Sequence, residues 1–123
     1  MLSEKAKDQV VFQCEVQHPF TLGEIEDLLV TALEGGSNYW IESVDSNPGE
    51  GNVYDQAMAS GIVIKPIDDD STYRLNMLFM QMGMQIMALK YGESVRRIID
   101  GTYDADDADV WLQLSLFARL VYG

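Results

Sequence analysis

Positive charge is scarce in this chain, and one long stretch lacks it altogether. Between Asp8 and Ile64 there are ten acidic residues and no lysine or arginine. Over all 123 residues, 20 acidic side chains face 8 basic ones, which gives a formal net charge of -12. Because few cations are available to displace counterions, the composition argues against binding a nucleic-acid backbone or an anionic membrane surface. Basic patches on other proteins are the natural electrostatic partners.

The chain has one cysteine, Cys14, and one histidine, His18. A single cysteine excludes an intramolecular disulfide and a zinc site built from several thiolates. A nucleophilic Cys14–His18 pair would need strand geometry to bring both side chains together, whereas Cys14 shares a face with core residues. No nucleophile–base pair or metal-ligand set is visible, so we predict no catalytic residue, no metal, no cofactor and no enzymatic activity.

Long apolar runs are also missing, since Gln and Gly interrupt every candidate before the roughly 18 residues that suggest a membrane span. The first eight residues are polar and charged, unlike a signal peptide. A hydrophobic content of 47% is nevertheless enough to fill a core. We therefore expect one domain over residues 1–123, with a loose N-terminus at 1–8 and a cytoplasmic location.

Hydrophobic periodicity predicts the order β-α-β-β-β-α-α. Thr21 and Glu24 form a capping-box pattern that opens an amphipathic helix, and Gly35 and Gly36 are expected to end it in the left-handed conformation. The fold class is α+β, a small antiparallel or mixed sheet of three or four strands packed with three helices. Strands are predicted at 9–17, 38–44, 61–67 and 72–75, and helices at about 22–34, 76–91 and 104–122, with a short helical segment at 93–100 and an ambiguous stretch at 53–59.

The helix predicted over 76–91 is apolar on two nearly opposite sides, so it must be covered twice. The sheet would be one cover, and the last helix or a second subunit the other. Core filling is the plainer interpretation of its methionines, and an adaptable interface is the alternative. One stripe contains Leu75, Leu78, Phe79, Met82, Ile86 and Leu89; the other, predicted as the oligomer interface, contains Met77, Met80, Met84 and Met87, followed by Tyr91.

Two stretches, Thr31–Trp40 (TALEGGSNYW) and Asp106–Gly123 (DDADVWLQLSLFARLVYG), resemble a family of small acidic phage and prophage proteins of unknown function. Such proteins carry a helix ending in ALEGG-x-x-YW, a short hairpin, a helix and a closing AD-x-x-LQ-x-x-LFG-x-VYG. The motifs span under a quarter of the chain. The resemblance implies a phage origin and no mechanism. This chain departs from the pattern after Phe117, where Ala118 and Arg119 replace a Gly-Glu pair.

Acidity and resemblance together predict a non-enzymatic accessory protein that binds a basic surface of an unidentified host protein in the bacterial cytoplasm. Some phage proteins of this kind block host defences by mimicking the charge of DNA, so a DNA-mimic-like or anti-CRISPR-like inhibitor is the specific expectation. Acidity that serves solubility alone is the competing interpretation. The carboxylates predicted to contact the partner are Glu24, Glu26, Asp27, Glu34, Asp68, Asp69 and Asp70.

Two further functions stay open. A sequestering protein could bind a nucleotide-like signal through stacked aromatics and arginines, although internal pairing of the arginines with aspartates is the safer assumption. Strand alternation would place Tyr39 and Trp40 on opposite faces. A structural or assembly protein would form a homodimer or larger oligomer through the methionine stripe. The residues of the predicted ligand site are Tyr39, Trp40, Arg74, Arg96 and Arg97.

Overall fold

A computed structural model describes residues 17–47 and 49–123 and shows a small α+β fold. The strand predicted at 9–17, apart from Gln17, lies outside the described residues, and so do Cys14 and the predicted loose start at 1–8. Five α-helices and one three-stranded sheet make up the described part. The elements are α1 Leu22–Thr31, β1 Ile41–Asp45, α2 Val53–Ala59, β2 Ile62–Pro66, β3 Tyr73–Leu75, α3 Met77–Lys90, α4 Gly92–Asp100 and α5 Ala105–Phe117, with a π-helical turn Ala32–Gly36 after α1.

The sheet is antiparallel throughout, in the order β1-β2-β3. The pairing of Ile62 with Leu75 and of Ile64 with Tyr73 confirms the predicted hairpin of β2 and β3. Pro66 lies at the end of the central strand, opposite Ile41, so of the two positions predicted for this proline the strand end is correct and the edge is wrong. A terminal position tolerates proline, because its missing amide hydrogen leaves no gap in the interior of the ladder.

Helix α1 begins as predicted, with the Glu24 amide donating to the Thr21 hydroxyl at 3.2 Å inside a complete capping box. Its predicted end is wrong. The chain passes from α1 into the π-helical turn, and neither Gly35 nor Gly36 is left-handed. Close approach explains Gly36 instead, since a Cβ atom there would lie 2.1 Å from the carbonyl oxygen of Ala105.

Two other boundaries differ from the expectation by three residues or more. Residues 37–40 form a turn, so β1 begins three residues later than predicted. Helix α5 ends at Phe117 rather than at 122, because Ala118 adopts a left-handed conformation with φ of 58°. The helical segment predicted at 93–100 is confirmed as α4, and the ambiguous stretch at 53–59 is the helix α2, capped by the Asn52 side chain.

Helix α5 occupies the centre of the fold. Its buried side chains include Trp111, Leu112 and Leu114, and it crosses α3 closely. The Trp111 indole donates to the Met80 carbonyl at 3.2 Å, and the missing side chain of Gly83 leaves space for Ser115. This crossing decides which side of α3 faces the core.

The crossing also overturns the predicted oligomer interface. Met80, Met84 and Met87 lie on the side of α3 that faces α5 and are buried in the core of the same chain, with Met77 half-buried beside them. Met80, Met84 and Met87 therefore offer little surface to a second subunit. The exposed side of α3 carries Leu78, Met82 and Leu89, which belong to the stripe expected to be core.

Candidate partner-binding surface

A hollow of about 570 Å³ opens between α1, the end of α4 and the start of α5. Four carboxylates line it, and Ile98, Ile99 and the Tyr103 ring supply its apolar lining. We call it the acidic hollow. Its residues are Glu24, Asp27, Thr31, Ile98, Ile99, Asp100, Gly101, Tyr103, Asp104 and Ala105.

Two of the four carboxylates also begin helices. Glu24 closes the capping box of α1 and lies 2.9 Å from Nε2 of His18, and this hydrogen bond, followed by that from the Thr21 amide, lowers the pKa of Glu24. Asp104 caps α5 by accepting from the Asp107 amide at 2.9 Å. Helix stability therefore accounts for the presence of both acids.

Asp27 and Asp100 have no such structural task. Asp27 is exposed on α1, and Asp100 is the last residue of α4, ahead of the left-handed Gly101. A negative charge at a helix C-terminus opposes the helix dipole and costs stability. Asp100 therefore gains nothing from the dipole of α4.

The lining of the hollow suits a basic side chain. The methylene stem of a lysine or arginine can lie against the apolar lining while its head forms charge-assisted hydrogen bonds with the carboxylates. Tyr103 adds a ring face that attracts cations. Among residues 17–47 and 49–123, no group of three or more His, Cys, Asp or Glu side chains is arranged to hold a metal ion.

The structure divides the seven predicted partner-binding acids. Glu24 and Asp27 line the acidic hollow, whereas Glu26 is half-buried on α1 and Glu34 lies on the π-helical turn. The turn 68–70 does not line the hollow. Sequence reasoning did not include Asp100 and Asp104 in the site. For Asp100 the sequence does offer one signal, which is an acid directly before the glycine that ends a helix.

The turn 68–70 uses one acid to hold the C-terminal segment and another to hold its own shape. Asp68 accepts from the Tyr122 hydroxyl at 2.7 Å. Asp69 accepts from the Tyr73 hydroxyl at 2.7 Å and from the Ser71 amide at 2.8 Å, and the bond from Tyr73 is the main reason that the pKa of Asp69 is lowered. These two carboxylates therefore have structural partners, while Asp70 is exposed.

A buried carboxylate, Asp109, joins the turn 37–40 to helix α5. One of its oxygens accepts from the Ser37 hydroxyl and the Trp40 indole, each at 2.8 Å. The other accepts from the Tyr39 hydroxyl at 2.7 Å and the Gln113 amide at 3.1 Å. Four donors replace the water that the carboxylate loses on burial, so the cluster is a satisfied structural core.

Gln113 extends this cluster to the C-terminal segment. Its carbonyl oxygen accepts from the amides of Val121 and Tyr122, both at 2.8 Å, and its amide donates to the Tyr122 carbonyl at 3.1 Å. The Tyr122 ring then stacks on Trp40 with centroids 5.1 Å apart and planes 3° from parallel. Packing thus accounts for most of the residues that make the two motifs recognisable.

The predicted ligand site is assembled only in part. Trp40 is 1% exposed, beneath Tyr122, whereas Tyr39 is 53% exposed. Both residues lie in the turn 37–40, so the strand alternation predicted for them is absent, and both side chains donate to the carboxylate of Asp109. Arg97 pairs with Asp107 at 2.7 and 2.8 Å, as internal pairing predicted, while Arg74 donates to the Ser60 carbonyl. Arg96 is exposed on α4. The arginines therefore make contacts apart from the Tyr39–Trp40 pair, and the five residues form no common nucleotide site.

No protein-family model, curated protein or solved structure matches the chain. No helix in the described part of the chain is long and apolar enough to cross a bilayer.

Proposed function

We propose that this chain is a non-enzymatic accessory protein of phage or prophage origin that binds a basic surface of a host protein. The acidic hollow is the anchor point, and it receives a lysine or arginine side chain of the partner. The phage origin is supported by the two motif stretches alone. A counter-defence role, in which the protein competes with DNA for a basic site, follows from the same charge.

The arrangement around Asp100 carries this proposal. Two acids from α1 and two from the junction of α4 and α5 line one concave surface with an apolar lining. In a chain with net charge -12, this surface combines long-range attraction with a shaped receptor for one side chain. The net charge alone would speed association with any basic partner, and the hollow adds selectivity for one basic side chain.

The test uses two charge-matched double variants. Asp27→Lys with Asp100→Lys reverses the two hollow acids that do not cap a helix. Asp45→Lys with Glu50→Lys reverses two exposed acids outside the hollow and changes the net charge equally. An oligo-arginine peptide is the defined probe, titrated by calorimetry at low and moderate salt. The same variants then serve as bait in bacterial lysate, with mass spectrometry of the captured proteins.

We expect the hollow variant to bind the peptide at least about tenfold more weakly, and the control variant to lose much less, because a paired charge in a partly desolvated site is worth more than an exposed one. Equal losses in both variants would show that the acidity acts without a site, as the solubility interpretation holds. Unchanged binding by the hollow variant would reject the anchor.

A nucleotide-sequestering function stays a prediction without an observation in its favour. A specific nucleotide that raised the melting temperature would revive it, since a ligand that binds only the folded state stabilises that state.

A further inference from the structure

Helix α3 exposes a continuous apolar stripe on the side away from α5. Leu78 is 60% exposed, Met82 46% and Leu89 71%. Together with the exposed Gln85, they follow one another at spacings of four, three and four residues, which is the spacing of a helix seam that packs against another helix. We call these four residues the α3 stripe.

Charge sets this helix apart from the rest of the molecule. Every other described α-helix contains at least one Asp or Glu, whereas α3 contains none in its 14 residues and has Lys90 as its single charged side chain. Two copies of a chain with net charge -12 repel each other wherever their carboxylates approach. Two copies that met at the α3 stripe would bring no Asp or Glu of this helix against each other.

We propose that the α3 stripe binds the α3 stripe of a second copy of this chain and forms a weak two-fold dimer. A basic partner gains its attraction from carboxylates and gains none from this uncharged stripe. An anionic bilayer is disfavoured by the net charge of the whole chain. A second copy brings the same apolar side chains and the same lack of acids, so it matches the stripe in both respects.

Two-fold symmetry fixes which residues of the stripe meet. A two-fold contact sets the same surface against itself, so each residue meets its own symmetry mate or the mate of a near neighbour. Antiparallel helices oppose their dipoles favourably, and that arrangement sets Leu78 against Leu89 and Met82 against Gln85.

Salt dependence separates this contact from the proposed partner binding. Added salt screens the repulsion between two acidic chains, so the dimer tightens as ionic strength rises. Binding of a basic partner to the acidic hollow weakens over the same range. The two proposals therefore respond to salt with opposite sign and stand or fall separately.

The experiment is sedimentation equilibrium of the full chain from micromolar to submillimolar concentration, at low and high salt. We expect a reversible monomer–dimer equilibrium that shifts toward dimer in high salt. Met82→Glu with Leu89→Glu should weaken the dimer more than about tenfold, because it adds repulsion and removes apolar burial. Leu22→Glu with Ile67→Glu, at two exposed apolar residues outside α3, adds the same charge as the matched control and should weaken the dimer much less.

Circular dichroism checks that both variants are folded, and oligo-arginine binding checks that the acidic hollow is intact. A wild-type chain that stays monomeric at submillimolar concentration in high salt would overturn the dimer. So would a Met82→Glu, Leu89→Glu variant that dimerises as well as the wild type, because the contact would then lie elsewhere.

Discussion

Asp109 shows how much of this fold depends on one side chain. Each of its oxygens accepts two hydrogen bonds, and all four donors need an acceptor. Asp109→Asn replaces one acceptor oxygen with an amide that points at two donors. We expect a loss of about 2–3 kcal/mol in the free energy of unfolding, measured by urea denaturation with tryptophan fluorescence.

Asp106→Asn is the control for that measurement, because Asp106 is an exposed acid one turn earlier on α5. The free energy of unfolding of this variant should fall by no more than about 0.5 kcal/mol, as for most surface changes. Similar losses at both positions would mean that the donors around Asp109 find other partners, and the cluster would then not stabilise the fold.

Ala118 offers a change in the opposite direction. It follows α5 in a left-handed conformation, which costs a residue with a side chain about 1–2 kcal/mol. Ala118→Gly removes that strain but gives the unfolded chain more freedom, worth about 0.4–1 kcal/mol. We expect a net gain of up to about 1 kcal/mol, seen as a higher melting temperature. A lower melting temperature would show that the alanine methyl group packs favourably.

At residue level, the sequence predicts short-range features well and distant pairings poorly. The Thr21–Glu24 capping box depends on residues three positions apart and is confirmed, whereas the strand alternation predicted for Tyr39 and Trp40 is wrong because both lie in a turn. The donors Ser37, Tyr39 and Trp40 lie 69 to 72 positions from Asp109. A single sequence contains no signal that joins groups so far apart.

Between elements, α3 and α5 approach each other closely where Gly83 meets Ser115. A Cβ atom on Gly83 would lie 2.2 Å from the Ser115 hydroxyl oxygen and 2.7 Å from the Ser115 backbone. Gly83→Ala should therefore destabilise the chain by about 1–3 kcal/mol, even though alanine favours helix formation by about 1 kcal/mol. The free energy of unfolding from urea titration measures the change.

Gly35→Ala provides the comparison, because a Cβ atom there meets nothing within 4 Å. That variant should be neutral or slightly more stable. If Gly83→Ala behaved in the same way, α3 and α5 would have room to move apart, and the crossing would not set the position of α3.

The crossing also explains why the buried side of α3 could not be foreseen. Both stripes of this helix are apolar, so periodicity alone does not choose between them. The choice depends on Gly83 and Ser115, two small residues on different helices that let the backbones approach. The acidic hollow has the same origin, since Asp100 and Asp104 join Glu24 and Asp27 only through the packing of α4 and α5 beside α1.

For the whole molecule, three tyrosines set the response to alkali. The pKa values of Tyr39, Tyr54 and Tyr122 are raised from 10.0 to about 12, first by burial and then by hydrogen bonds to the carboxylates of Asp109, Glu34 and Asp68 respectively. The folded state thus holds these protons more tightly than the unfolded state. Stability is fully present below about pH 10 and is lost as the pH rises toward 12.

Urea midpoints measured across that range, together with the near-ultraviolet absorbance of phenolate, test this expectation. Tyr122→Phe removes one of the three groups and should make the decline shallower, at the cost of the bond to Asp68. Tyrosines that ionise near their ordinary pKa, with no loss of stability above pH 10, would contradict it.

Both tryptophans are buried, and they report on different places. Trp40 lies beneath Tyr122, where the final residues fold back, while Trp111 lies at the junction with Met80. Replacing Trp111 by phenylalanine leaves Trp40 as the single tryptophan, and its fluorescence reports detachment of the chain end. This fluorescence distinguishes local detachment of the C-terminal segment from global unfolding in stopped-flow or temperature-jump experiments.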